Sequence, residues 1–221
     1  MLVALVAADR LAAYLAARAL ASNVQSAQQL TARPSAAIRG FPFLTQVLSG
    51  RYRELDLATR APVTEGGVRI ASARVQLRDV RLKLSDVLHG TVASVPVRSG
   101  TGTALLSYDD LNQLATQQGG ASGAAVSFAS AGPGRVKVTG PFGLSITTGA
   151  SVTNGQLRIR PDAGGLDALP APLRGIAAGL VASPLDLPRL PFHLTIRSGA
   201  LTERGLEVVA DADGAVLATR R

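Results

Sequence analysis

The sequence predicts an α+β fold built mostly from antiparallel strands, on three observations. From Arg51 onward apolar and polar residues alternate with period two over most of the chain. Gly, Pro and Asn interrupt those runs at hairpin spacing. Helical spacing returns only in isolated stretches, with no βαβ alternation and no internal repeat. The 221 residues are read as one domain, 1–221, long enough to bury a core without disulfides.

The elements follow in chain order. Met1–Ala8 is apolar, Asp9-Arg10 interrupts, and Leu11–Ala17 is apolar again. Neither run approaches the ~20 residues needed to cross a bilayer. Two origins for Met1–Ala8 stay open: the start of an ordinary core helix, or the remnant of a membrane anchor or signal. On a helical wheel Leu11, Tyr14 and Leu15 share one face, Leu20 and Val24 sit nearly opposite, and Ala fills the rest. That distribution predicts a helix buried between two layers. Leu55 and Leu57 then alternate with charged partners. Val68–Leu84 has period two, but its parity flips between Ile70 and Ala73 and again at Asp79, so it reads as one bulged strand or two abutting ones. Val95, Val97, Ser99, Thr101, Thr103 and Leu105 continue the alternation to Ser107. Ser107-Tyr108-Asp109-Asp110-Leu111 joins an N-cap hydroxyl to first-turn acids and predicts a helix to about Gln118, stopped by Gly119-Gly120. Strands are expected at Val126–Ser130, Arg135–Thr139, Phe142–Thr147 and Gln156–Arg160, with Asn154-Gly155 the strongest turn. A helix over Leu166–Ala182 follows, then strands around Phe192–Ile196, Leu206–Ala210 and Ala215–Thr219.

Composition narrows the chemistry. The chain has no Cys, which removes disulfides, thiolate metal sites and cysteine nucleophiles together. Its two His, His89 and His193, are about a hundred residues apart, so no His-pair metal motif exists. There is no G-x-S-x-G elbow, no P-loop and no dinucleotide fingerprint. Asp109-Asp110 is explained by helix capping. The expectation is therefore a protein that is not an enzyme, with no catalytic residues, no metal and no cofactor. A net charge of +8 invites a nucleic-acid reading, yet aromatics are 4% and the Arg residues are scattered from Arg10 to Arg221. Nucleic-acid readers concentrate charge and interleave aromatics, so no nucleic acid is expected. Diffuse Arg suits an anionic membrane surface better.

One stretch stands apart. Ile38–Tyr52 holds two of the five Phe within three residues, bracketed by Gly40 and Gly50. Pro42 fixes its own φ and holds Phe41 extended. Leu44, Val47 and Leu48 fit a short helical turn. Two readings of this stretch stay open: a packing corner, or an apolar lip for an acyl chain.

These residues carry a resemblance. Asp9-Arg10, Gly40-Phe41-Pro42-Phe43-Leu44-Thr45-Gln46, Gly50-x-Tyr52, Ser107-Tyr108-Asp109-Asp110-Leu111, Leu190-Pro191-Phe192 and Gly205-Leu206 together resemble the LmeA-like family of phospholipid-binding proteins of actinobacterial cell envelopes. The resemblance implies phospholipid, anionic or inositol-bearing, as ligand. It implies a place at the extracytoplasmic face of the plasma membrane, anchored or secreted. It also implies a long curved antiparallel sheet wrapped around two or three helices, like tubular lipid-binding modules.

The expected arrangement is an elongated apolar groove for acyl chains, its width left by small Ala side chains. Leu11, Tyr14, Leu15, Phe41, Phe43, Leu44, Leu48 and Leu180 are its expected apolar contacts. Arg39, Arg51 and Arg53 flank the lip and are the expected head-group ligands. Expected partners are a phospholipid and a membrane surface, with the protein a monomer. The alternative is an envelope scaffold that docks a protein partner through the Phe41–Leu48 lip.

Overall fold

A computed structural model describes residues 1–27, 30–65, 68–82, 94–118, 126–140, 143, 145–160, 174–175, 178, 184–187, 194–213 and 216–218. The helices are α1 (Leu2–Ala27), α2 (Phe43–Ser49) and α3 (Tyr108–Gln118). The first strands are β1 (Ser35–Arg39), β2 (Arg51–Thr59), β3 (Val63–Glu65), β4 (Val68–Ile70), β5 (Ser72–Arg81), β6 (Ser94–Pro96) and β7 (Ser99–Ser107). After α3 come β8 (Ser127–Ser130), β9 (Val136–Thr139), β10 (Ser145–Thr153), β11 (Gln156–Arg160), β12 (Leu185–Asp186), β13 (Thr195–Thr202), β14 (Gly205–Asp213) and β15 (Val216–Ala218).

A six-stranded antiparallel sheet has the order β1-β2-β5-β7-β14-β13, and a five-stranded one the order β12-β11-β10-β9-β8. The architecture is α+β, as the sequence predicts, and one sheet curls into a half-barrel, which fits the curved sheet the resemblance implies. The sheets meet where β10 crosses β13. Gly199 has no side chain there, and a Cβ would lie 2.5 Å from a methyl of Val152. One cluster of buried side chains joins Leu55, Val75, Leu77, Leu106 and Val208 of the larger sheet to Val136, Val138 and Leu157 of the smaller. Leu111 and Leu114 of α3 complete it.

The parity flips have local causes. Val68–Leu84 is two abutting strands: β4 ends at Ile70 and β5 begins at Ser72. The second flip falls at Asp79, which has φ +49°. Its partner strand turns over at the same level, because Tyr52 and Leu55 are both buried although three residues apart. Pairing continues unbroken on either side, Tyr52 with Val80 and Glu54 with Arg78. Both strands thus exchange faces together without slipping register.

One alternation is corrected. The expected set Thr101, Thr103 and Leu105 lies on the outer face, and Gly100, Gly102, Ala104 and Leu106 face the core. The small inward residues make room: a Cβ on Gly102 would fall 2.5 Å from the side chain of Leu194. The α1 expectation is corrected too. Only one stripe of that helix is buried, Asp9, Ala13, Ala17 and Ala21 at i, i+4 spacing, whereas Leu11, Tyr14 and Leu15 are exposed.

Two expected strands are displaced: Phe142–Thr147 overlaps only the start of β10, which runs on to Thr153, and Phe192–Ile196 only the start of β13, which runs on to Thr202, with Phe142 and Phe192 outside the described residues. The β10–β11 hairpin turns on Asn154 (φ +53°) and Gly155 (φ +74°), the left-handed pair of a type I′ turn. The Leu166–Ala182 helix falls almost wholly outside the described residues, of which 174–175 and 178 are helical. At α3, Ser107 and Asp110 form a reciprocal cap. The Asp110 N–H donates to Ser107 Oγ at 3.2 Å, and the Ser107 N–H to Asp110 Oδ2 at 2.9 Å. Ser107→Ala is expected to lower stability by about 1 kcal/mol, read as a shift in the urea midpoint with unchanged slope.

Candidate functional site

The residues that read as distinctive in sequence are assembled into one corner, where α1 meets α2. α2 begins at Phe43 behind Pro42, which has no side chain to cap a helix. The cap comes from α1 instead. Asp9 Oδ1 accepts the Leu44 N–H at 2.9 Å from 35 positions away in the chain. The neighbouring Arg10 donates to Asp9 Oδ2 at 2.7 Å and to the Gly40 carbonyl at 3.0 Å. Its guanidinium also lies 5.2 Å from the centroid of the Phe41 ring. The α2 C-terminus closes on Gly50, whose φ of +64° suits glycine.

The loop around α2 is locked from within. Gln46 is buried; its Oε1 accepts the Arg53 N–H at 2.9 Å, and its Nε2 donates to the Pro42 carbonyl at 3.4 Å. Gly40, at φ +107°, lets Gln46 approach, since a Cβ there would lie 2.9 Å from Gln46 Nε2. The Phe43 ring turns inward against Tyr52, with centroids 6.5 Å apart. Asp9-Arg10, Gly40–Gln46 and Gly50-x-Tyr52 are thus parts of a single latch.

Asp9 is almost fully buried. Burial pushes its carboxyl up, but the N–H groups of Leu44 and Phe43 and the Arg10 guanidinium outweigh that and hold it below the usual carboxylate range. A carboxyl with a depressed folded-state value stabilises fully above the ordinary range and loses that contribution as pH falls through the folded value. Asp9→Asn keeps an acceptor oxygen and removes the charge. The difference in Tm between wild type and this variant is expected to be widest near neutrality and to close in acid, as thermal melts across pH would show.

The latch displays apolar groups outward. Phe41, Leu44 and Leu48 are 50%, 41% and 85% exposed. On α1 every side chain from Met1 to Ala8 is exposed, because the helix runs two turns past its contact with α2. Leu11, Tyr14 and Leu15 add an apolar outer face to the same helix. No helix among the described residues is long and apolar enough to cross a membrane. So many exposed large apolar side chains on two packed elements mark a surface for apolar contact.

Of the expected apolar contacts, Leu11, Tyr14, Leu15, Phe41, Leu44 and Leu48 lie on this exterior. Phe43 is in the core, and Leu180 falls outside the described residues. Among the described residues the alanine stripe brings α1 close to its neighbours: Ala13, Ala17 and Ala21 are buried, because small side chains let the helix sit close. Two grooves, of about 530 and 500 Å³, instead open on the polar face of the larger sheet. Among the expected head-group ligands, Arg39 is already engaged by Asp56 at 2.5 Å and Glu54 at 3.1 Å. Arg51 and Arg53 are exposed beside α2. No cluster of metal-ligating side chains occurs among the described residues, and His89 and His193 lie outside them.

The capping role of Asp9 escaped the sequence reading. Its partner lies 35 residues on, and the only signal was the Pro at the N-cap of α2, which leaves those N–H groups needing an acceptor from elsewhere. A family model described as LmeA-like phospholipid-binding matches residues 7–211. The chain belongs to this family. The match spans every segment of the latch, which in this chain fixes α2 to α1. No curated protein and no solved structure matches this LmeA-like chain.

Proposed function

We propose that this protein binds phospholipid without turning it over, and that it does so at a membrane surface with the apolar corner of α1 and α2. Acyl chains seat along the exposed run from Leu11, Tyr14 and Leu15 to Phe41, Leu44 and Leu48, an elongated apolar surface on the outside of the helical layer. The observation that carries this reading is the latch. A buried carboxylate, a buried glutamine and two left-handed glycines hold three large apolar side chains in water, a costly arrangement unless they meet hydrocarbon. Arg51 and Arg53 stand beside the lip and suit the phosphates of anionic lipids. Membership of a phospholipid-binding family supports the ligand class. The family resemblance supports work in the cell envelope, at the outer face of the plasma membrane, in lipid or glycolipid handling.

Native mass spectrometry of protein incubated with phospholipid vesicles tests the reading. Retention of phospholipid in preference for anionic species is expected. Recovery of bare protein only, with no uptake, would refute it. Capture of a protein partner that is lost on Phe41→Ala, with no lipid uptake, would establish the scaffold alternative.

A further inference from the structure

The outer face of the six-stranded sheet carries many charges, and most are paired. Arg39 meets Glu54 and Asp56, Arg78 reaches Glu54 at 4.0 Å, and Arg197 meets Asp211. The 530 Å³ groove at the far end of that face is different. Arg33, Arg60, Arg74 and Arg204 all line it, with Glu207 as the single acid. None of the four arginines makes an ion pair with a described residue, and all four are exposed. They come from four separate places: before β1, after β2, within β5, and in the turn between β13 and β14. Register explains the convergence. Arg74 lies opposite Ala58 on one side and Thr103 on the other, and Glu207 opposite Leu105 one row on. The small side chains of Ala58 and Thr103 on either side of Arg74 leave the floor open.

We propose that this groove is a binding site for a phosphate-bearing anion, distinct from the apolar corner. Four guanidiniums against one carboxylate leave a net charge of +3 around an open groove. Guanidinium forks match phosphate oxygens in geometry, and unpaired forks facing one space lose least by accepting such a ligand. Glu207 disfavours a bare polyanion and favours one that brings hydroxyl donors for its oxygens. The groove sits at the Thr59 end of β2 and the apolar corner at the Arg51 end, so about 30 Å of strand separates them. A lipid whose chains lie on the corner cannot also fill the groove. The ligand is therefore either a soluble phosphate ester or the head group of another lipid.

Calorimetric titration of the full chain with inorganic pyrophosphate is the first arm. Arg74→Gln and Arg204→Gln should each weaken binding about tenfold, Glu207→Gln should tighten it, and added salt should weaken all. The second arm uses phosphatidylcholine vesicles with and without phosphatidylglycerol, in a Leu44→Asp background that silences the corner. Pyrophosphate binding with that order of variants assigns the soluble source. Binding only to phosphatidylglycerol vesicles, lost with Arg74→Gln, assigns the head group. Equal behaviour of wild type and the three groove variants toward both probes would overturn the site. The pyrophosphate arm is independent of the corner, so failure here and failure of the lipid reading are separable. Arg74 and Arg204 are exposed, the first on the sheet face and the second in the β13–β14 turn, and Glu207 is half-buried; unchanged thermal melts would confirm that the fold is retained.

Discussion

Replacing Leu44 and Leu48 together by Asp is expected to abolish binding to phosphatidylcholine vesicles, which offer no anionic head group to the groove, while leaving the fold unchanged. Both side chains point to water, at 41% and 85% exposure, so neither contributes much to the core. Moving one such side chain from water into hydrocarbon is worth about 1.5–3 kcal/mol. Losing two, and adding two charges that resist leaving water, should weaken partitioning by at least about a hundredfold. Vesicle co-sedimentation gives the loss, and the thermal melt shows that the protein still folds. The same substitution at Phe43 is a poor test, because that ring is in the core beside Tyr52 and its loss would unfold the corner.

The second large effect concerns the end of the β7–β14 pairing. Gly205 opens β14 at φ +141°, and a Cβ there would stand 2.0 Å from the Leu106 carbonyl oxygen and 2.8 Å from Ser107 Cα. Those are backbone atoms of β7, the strand paired with β14 through Gly205 and Ser107. Relief requires the strands to part, which would also pull on the Ser107–Asp110 cap of α3. Gly205→Ala is expected to cost about 3 kcal/mol or more, from strain and overpacking together. Gly134→Ala provides the comparison. That residue also has positive φ, +71°, but nothing lies within 4 Å of its would-be Cβ. Its cost should be only about 1 kcal/mol. Urea unfolding of both variants separates crowding from backbone preference.

The ease of reading the chain tracked the range of the interactions. Elements set by neighbours in sequence were legible: the Asn154-Gly155 turn, the Ser107 cap and the two parity flips of Val68–Leu84. The face of β7 was not. Thr101, Thr103 and Leu105 alternate convincingly, but the core side is the one with Gly100, Gly102 and Ala104, because the Leu194 side chain occupies the space beside Gly102. Hydrophobic alternation cannot reveal a core face whose volume is supplied by another strand. α1 misled for a related reason. Its large residues suggested two buried sides, whereas the alanine stripe is what meets the protein and the leucines are left outside. Composition and spacing set the stretch with Phe41, Leu44 and Leu48 apart in the sequence, but not whether it is a packing corner or a lip; the three side chains are exposed. The carboxylate that holds them, Asp9, was recognised only as part of a motif, since nothing local shows that it caps a helix beginning at Phe43. The groove arginines had no linear signal at all, being spread from Arg33 to Arg204 and gathered only by strand pairing.

The chain contains no Trp, so a single one placed at Leu48 reports on that position alone. With phosphatidylglycerol vesicles, emission of the Leu48→Trp protein is expected to shift to the blue and to be quenched by lipids brominated in their acyl chains, while a Trp at Gln76 on the polar sheet face stays solvent-like and unquenched. Quenching at Gln76 with none at Leu48 would contradict a membrane-facing α1–α2 corner, whatever lipid the protein carries.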